Sequence, residues 1–161
     1  MRRLVLLFVG CLLPLAPVAS QSAAHDSAYK VVTDLFDAMR ARDTASMRAA
    51  FTSNASMQAL TADSVEFASI DGWINSVARA RPGVLLDERL ANPVVQVDGA
   101  LATIWVDYWF FVGTRRSHCG VDAFQLHKQN GQWRIFSVVD TRRAIGCPEA
   151  PNGTNAALTD D

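Results

Sequence analysis

The residues of this chain best able to do chemistry gather in its last third: Asp107 between Trp105 and Trp109, His118 and Asp122 four positions apart, and the run Asp140-Thr141-Arg142-Arg143. A carboxyl walled in by tryptophans loses hydration, keeps its proton to higher pH and becomes a candidate general acid or base. An aspartate on a strand is just as readily a paired or rim-exposed group, so Asp107 carries both readings. His118 and Asp122 share one side of an extended segment with Gly120, Phe124 and Leu126. Together they can orient a ligand or pass a proton; alternatively Asp122 pairs with Arg142 or Arg143. An arginine fork at Arg142 holds either a carboxylate of the protein, such as Asp140, or an anionic ligand. The catalytic candidates are therefore Asp107, His118 and Asp122. The ligand-binding candidates are Trp73, Trp105, Trp109, His118, Asp122, Asp140 and Arg142. His25, His118 and His127 lack the paired spacing of zinc ligands, and glycine-rich phosphate loops and nucleophile elbows are absent, so neither metal nor cofactor is expected.

Helices come first among the elements that must position these groups. Between Asp26 and Arg42 the residues Ala28, Val31, Val32, Leu35, Phe36 and Met39 recur at three- and four-residue steps, which predicts an amphipathic helix with one buried stripe. Asp43 can cap a second short helix carrying Met47, Ala50 and Phe51. Residues 55–69 read as a small hairpin around Thr61-Ala62-Asp63. Ser69 then caps a third helix with Ile70, Trp73, Ile74 and Val77 on one side, stopped by Arg81-Pro82-Gly83.

Beyond this point the period changes to two. LLDERLANPVVQV, broken at Pro93, leads through an Asp98-Gly99 turn into a long strand from Leu101 to Val112. A strand from Cys119 to His127 follows, and an Asn130-Gly131 turn leads to the last, Trp133 to Asp140. Alternation puts Leu101, Thr103, Trp105, Asp107, Trp109 and Phe111 on one face and Ala102, Ile104, Val106, Tyr108 and Phe110 on the other. Both faces are apolar, so both need covering. The predicted class is α+β: three N-terminal helices packed on a strongly curved antiparallel sheet.

The chain opens Met1-Arg2-Arg3 and runs on through an apolar stretch interrupted by Pro14 and Pro17, the pattern of a secretory signal peptide over residues 1–20. Spanning a membrane takes about 20 apolar residues without such breaks. A lipoprotein signal ending at Cys11 is the competing reading, and it would leave an apolar new terminus. Removing twenty residues takes two arginines away, so 15 basic residues become 13 against 16 acidic ones, a net charge near −3. No field of that sign holds a phosphate backbone, which argues against nucleic acid as a partner. Cys119 and Cys147 then remain as a pair in a secreted or periplasmic setting, where a bridge worth roughly 3–4 kcal/mol is the ordinary outcome. Residues 26–147 form one domain, and residues 148–161 are expected to be an unstructured tail.

The segments SHCGVDAFQL at 117–126 and WRIFSVVDTRRAIGC at 133–147, with this order of elements, resemble a secreted bacterial branch of the nuclear transport factor 2-like superfamily, of the SnoaL-like and lumazine-binding type. The likeness extends over residues 27–147. It implies a cystatin-like cone, a bent sheet around the first helix with an internal pocket, and commonly a homodimer through the outer sheet face. The leading functional expectation is that the cone's apolar walls hold a small apolar or ring-containing molecule, with Asp122, His118 and Arg142 on its polar end. Isomerases, dehydratases and cyclases of this superfamily offer an alternative, with a pocket aspartate or histidine as acid or base. A purely structural dimerisation module is a third.

Overall fold

The computed structural model describes residues 18–152. Helix α1 spans Val18–Ala41 and buries Ala28, Tyr29, Val32, Leu35, Phe36 and Met39 along one stripe. It starts two turns before the predicted Asp26, in an alanine-rich stretch of high helix propensity. Its end is unusual. Arg42 adopts φ +58°, the left-handed conformation that glycine normally supplies, and Asp43 N–H closes the turn on the Ala38 carbonyl at 2.9 Å. The Arg42 guanidinium compensates by donating to the carbonyls of Ala80, Arg81 and Val84 at 2.6–2.8 Å, pinning the loop that leads into the sheet.

Asp43 caps α2 (Thr44–Ala49), accepting from Ser46 N–H at 3.0 Å. Phe51, expected on that helix, instead opens strand β1 (Phe51–Leu60), which forms a hairpin with β2 (Val65–Ala68). Ser69 caps α3 (Ile70–Ala78) through Gly72 N–H at 3.2 Å, and Ile70, Ile74 and Val77 are buried beneath it. Four long strands complete the chain: β3 (Leu86–Asp98), β4 (Leu101–Val112), β5 (Arg115–Gln129) and β6 (Gln132–Thr141). Asn130-Gly131 turns the chain between β5 and β6 with both φ values positive. The β3–β4 turn sits one residue later than expected, on Gly99-Ala100, where only Gly99 has positive φ.

The strands form one open six-stranded sheet in the order β2-β1-β6-β5-β4-β3. It is antiparallel except where β1 runs parallel to β6. This mixed pairing follows from topology: the last strand returns beside the first after three successive hairpins, a non-local contact with no local signal. The helices cover one face. Ala102, Ile104, Val106 and Tyr108 of β4 lie there, each no more than 2% exposed. On β3 a bulge at Asn92, with φ +53°, shifts the register between Ala91 and Val94. The inward face therefore changes from Leu86, Glu88 and Leu90 to Val95 and Val97.

The C-terminal end is fastened to the other face. Cys119 and Cys147 form a disulfide with Cα atoms 5.9 Å apart, and Cys119 and Arg143 exchange backbone hydrogen bonds at 3.0 Å. Pro148 carbonyl then accepts from Trp109 Nε1 at 3.0 Å and from Arg116 at 3.1 Å. The tail expected from residue 148 is thus held against the outer sheet face at its beginning. Residues 153–161 lie outside the described residues, as do residues 1–17 of the expected signal segment.

Gly120 sits where three chain segments meet. A Cβ built on it would stand 1.8 Å from the Thr141 carbonyl oxygen and 2.8 Å from Tyr108 Cε1. Since the collision is with backbone, Gly120→Ala is expected to cost at least about 3 kcal/mol in urea denaturation, or to prevent folding. Gly72→Ala, whose new methyl would meet Ser69 Cβ at an ordinary 3.4 Å, is expected to stabilise by roughly 0.5–1 kcal/mol.

Candidate functional site

Between α1, α3 and the inner sheet face lies a cavity of about 210 Å³. Its apolar wall comes from Leu35, Phe36 and Met39 of α1, Trp73 and Val77 of α3, and Met57, Leu86, Tyr108, Phe110, Phe124 and Val138 of the sheet. The rings brace one another: Phe36 meets Phe124 edge-on at 6.2 Å, and Trp73 meets Phe51 likewise at 6.2 Å. The polar wall is narrower. It consists of Ser76, Glu88, His118, Asp122, Asp140 and Arg142.

Strand pairing explains how these groups converge. Glu88, Phe110 and His118 form one cross-strand row on β3, β4 and β5; Val106, Asp122 and Asp140 form another on β4, β5 and β6. The row between them is Leu90, Tyr108 and Gly120. Because Gly120 has no side chain, Tyr108 leans over it and its hydroxyl donates to the Thr141 carbonyl at 2.9 Å. That phenol is held protonated far above its ordinary range, first by burial and then by the charges of Asp140, Asp122 and Glu88.

Two neighbouring acids on β3 show what is special about the cavity. Asp87, on the opposite face, is 3% exposed and receives Arg40 at 3.1 Å and Arg89 at 2.9 Å, the ordinary way to bury a carboxylate. Glu88 has no arginine partner of that kind among the described residues; its half-buried side chain carries its carboxyl into the cavity, where it meets the carboxyl of Asp122. Two carboxyls can bond only if one carries a proton. Asp122 is 4% exposed, and among the described residues its Oδ2 receives no hydrogen bond from any N–H or hydroxyl donor. Burial, and then the charge of Glu88, push the Asp122 carboxyl well above the usual range. Burial likewise pushes Glu88 up, to about 8. The two groups titrate as a unit.

Asp140 and the half-exposed Arg142 pair at the same cavity. Arg142 Nε and Nη2 reach the Asp140 carboxylate at 3.2 and 3.0 Å, a forked pair that neutralises both. Here the structure corrects the expected pairing of Asp122 with Arg142 or Arg143. Arg142 and Asp140, two apart on the same strand end, find each other, and Arg143, whose backbone pairs with Cys119, is exposed while Asp122 is buried. His118 meets Tyr108 edge-on at 5.7 Å and Phe110 at a tilt at 5.2 Å, with Nδ1 3.0 Å from Ser117 Oγ. Burial, with the nearby Arg142 charge, lowers its pKa and keeps the imidazole neutral near pH 7.

Trp73, His118, Asp122, Asp140 and Arg142, named from sequence, thus meet at one cavity. Asp107, Trp105 and Trp109 do not: they project from the outer face of β4, because alternation from buried Tyr108 and Val106 sends them there. Asp107 accepts from Asn92 Nδ2 at 2.9 Å, Trp105 is 53% exposed, and Trp109 is covered by the C-terminal segment. Glu88 was not among the sequence candidates. Its signal is the pattern Leu86-Asp87-Glu88-Arg89-Leu90, in which an acid occupies the apolar side of an alternating strand.

The fold is similar to that of NTF2-like proteins. The sequence profile described as "Putative lumazine-binding" matches residues 23–139, and the chain belongs to that family. No curated protein matches the chain significantly. Among solved structures, a protein of unknown function from Mycobacterium tuberculosis is 17% identical with a TM-score of 0.67, over 80% of this chain and 77% of that one. An NTF2-like protein of unknown function from Silicibacter pomeroyi is 21% identical with a TM-score of 0.60, over 79% and 100%. An NTF2-like "putative dehydratase" from Streptomyces avermitilis is 12% identical with a TM-score of 0.62, over 76% and 98%. At these identities the likeness is one of fold.

The carboxyl pair makes stability depend on pH with a definite sign. Unfolded, Glu88 loses its proton near 4.5; folded, it keeps it to about 8. Between these values the folded state binds the extra proton, so its contribution is fully present below about pH 4.5 and is lost as pH rises to about 8. Urea unfolding is expected to show wild-type stability falling across this window and a smaller fall for Glu88→Gln. Equal slopes in the two proteins would place the titrating proton elsewhere.

Proposed function

We propose that this protein binds a small ring-containing molecule in the cavity, with the aromatic wall on the ring and the carboxyl pair, His118 and the Asp140–Arg142 fork on its polar end. The observation that carries this reading is an aromatic-walled cavity of about 210 Å³ facing buried ionisable groups. Apolar cavities of about 150 Å³ take up benzene, so one substituted ring or two fused rings is the matching size. The description of the family points to ligand binding as well. A second reading, an isomerase, dehydratase or cyclase, is favoured by one feature, the proton shared between Glu88 and Asp122, which is a ready acid and base in one place.

The binding takes place outside the cytoplasm in this proposal. Its supports are the signal-like residues 1–20 and the bridge between Cys119 and Cys147. Removal of that segment would leave α1 beginning near Gln21, with its buried stripe intact. Among the described residues no helix is long and apolar enough to cross a membrane. The outer sheet face is proposed to pair with a second copy of the chain, because Val94, Leu101 and Trp105 stand 56%, 47% and 53% exposed on it.

Saturation-transfer NMR with indole is expected to show saturable binding, and Met57→Trp, which puts a large ring into the cavity, is expected to weaken it at least ten-fold while the protein stays folded. Absence of saturable indole binding, together with no co-purifying small molecule in native mass spectrometry, would sink the reading. For the outer face, light scattering is expected to give a dimer for the mature protein and a monomer for Trp105→Lys; an unchanged mass for both would remove that face from assembly.

A further inference from the structure

The cavity's charge inventory says which rings it favours. Its one guanidinium, Arg142, is already forked onto Asp140. Its imidazole is neutral near pH 7, and its Tyr108 hydroxyl is spent on the Thr141 carbonyl. What remains is a carboxyl pair, Glu88 and Asp122, with an Asp122 oxygen that no donor group among the described residues reaches. The opposite wall is built from the rings of Phe36, Trp73, Tyr108, Phe110 and Phe124. An anion entering this space finds no unclaimed positive charge. A cation finds carboxylate oxygens on one side and the negative faces of aromatic rings on the other.

We propose, resting on the ring-binding reading above, that the ligand carries a weakly basic ring nitrogen or amidine, and that the Glu88–Asp122 pair holds it by accepting its N–H. The proton balance is simple. If the ligand enters neutral, the O–H bond of one carboxyl breaks, the ligand nitrogen takes that proton, and the resulting ring cation faces the carboxylate left behind. If it enters already protonated, the same carboxyl proton leaves to the buffer. Either way the buried pair exchanges a shared proton for an ion pair with the ligand, in a space where the attraction is poorly screened. The cavity thereby selects against neutral apolar rings, which leave the pair as it was, and against carboxylates, which meet it with like charge.

Three bicyclic probes of similar size separate the possibilities: 2-aminobenzimidazole, basic near neutrality; indole, neutral; and indole-3-carboxylate, anionic. Titration calorimetry on the mature protein is expected to give 2-aminobenzimidazole an affinity at least ten-fold above the other two. Glu88→Gln and Asp122→Asn, each checked for folding by near-ultraviolet circular dichroism, are expected to cut that advantage to two-fold or less and leave indole within two-fold of wild type. At a pH where the probe is mainly cationic, calorimetry in buffers of different ionisation enthalpy is expected to count about one proton released per molecule of 2-aminobenzimidazole, and none for indole. This proton count uses wild-type protein, so it stands even if both variants fail to fold. Equal affinity for all three probes, or preference for the carboxylate, overturns the ligand class while ring binding stands. An undiminished advantage in both variants, or no proton released, overturns the assignment to the pair. Binding of none of the three overturns the ring-binding reading itself and this proposal with it.

Discussion

The site depends on how closely the end of β6 comes to β5. At Gly120 the Thr141 carbonyl oxygen occupies the volume a side chain would fill, and the Tyr108 hydroxyl caps that oxygen. A carbonyl pressed into an interior must be hydrogen-bonded, and here a buried phenol from β4, two strands over, does it. The contact fixes the strand end that carries Asp140 inward and brings Arg142 to the cavity. A few residues on, the chain leaves Arg143 bonded to Cys119 and crosses to the disulfide. Fold closure and site assembly therefore share one close approach.

Charge is handled differently on the two faces of the sheet. Outside and at the edge, acids meet arginines: Asp87 is held by Arg40 and Arg89, and the Arg89 guanidinium lies 4.4 Å over the Phe111 ring. Inside, Asp140 takes Arg142, but Glu88 and Asp122 meet each other. Folding gains nothing from two desolvated carboxyls that need a proton to coexist, and their cost rises with pH. Groups kept at such a cost in a cavity lined by aromatic rings are where function concentrates.

Much of the fold was legible because its signals are local. Three- and four-residue apolar steps marked α1 and α3, the caps Asp43 and Ser69 marked helix starts, and Asn130-Gly131 marked a hairpin. Errors fell where local and non-local demands compete. Phe51 reads as a continuation of α2 but is taken by the sheet, and the alanine-rich start of α1 hides its true beginning. The site was legible in part. His118 and Asp122 stood out as polar residues on an apolar strand side, whereas Glu88 was hidden inside the charged run Asp87-Glu88-Arg89, where only alternation reveals that it alone turns inward.

Sequence by itself determined the elements and the two sides of each strand, since helical and strand periods are written in neighbouring residues and the α+β class follows from their order. It left undecided which side of β4 faces the helices, for both are apolar, and so it could not separate Tyr108 and Phe110 at the cavity from Trp105, Asp107 and Trp109 outside it. Tertiary structure decided that, and with it the meeting of Glu88 with Asp122 across thirty-odd residues of chain. Partners at such separation are chosen by sheet pairing and packing, whose energies belong to the assembled molecule and to no single segment.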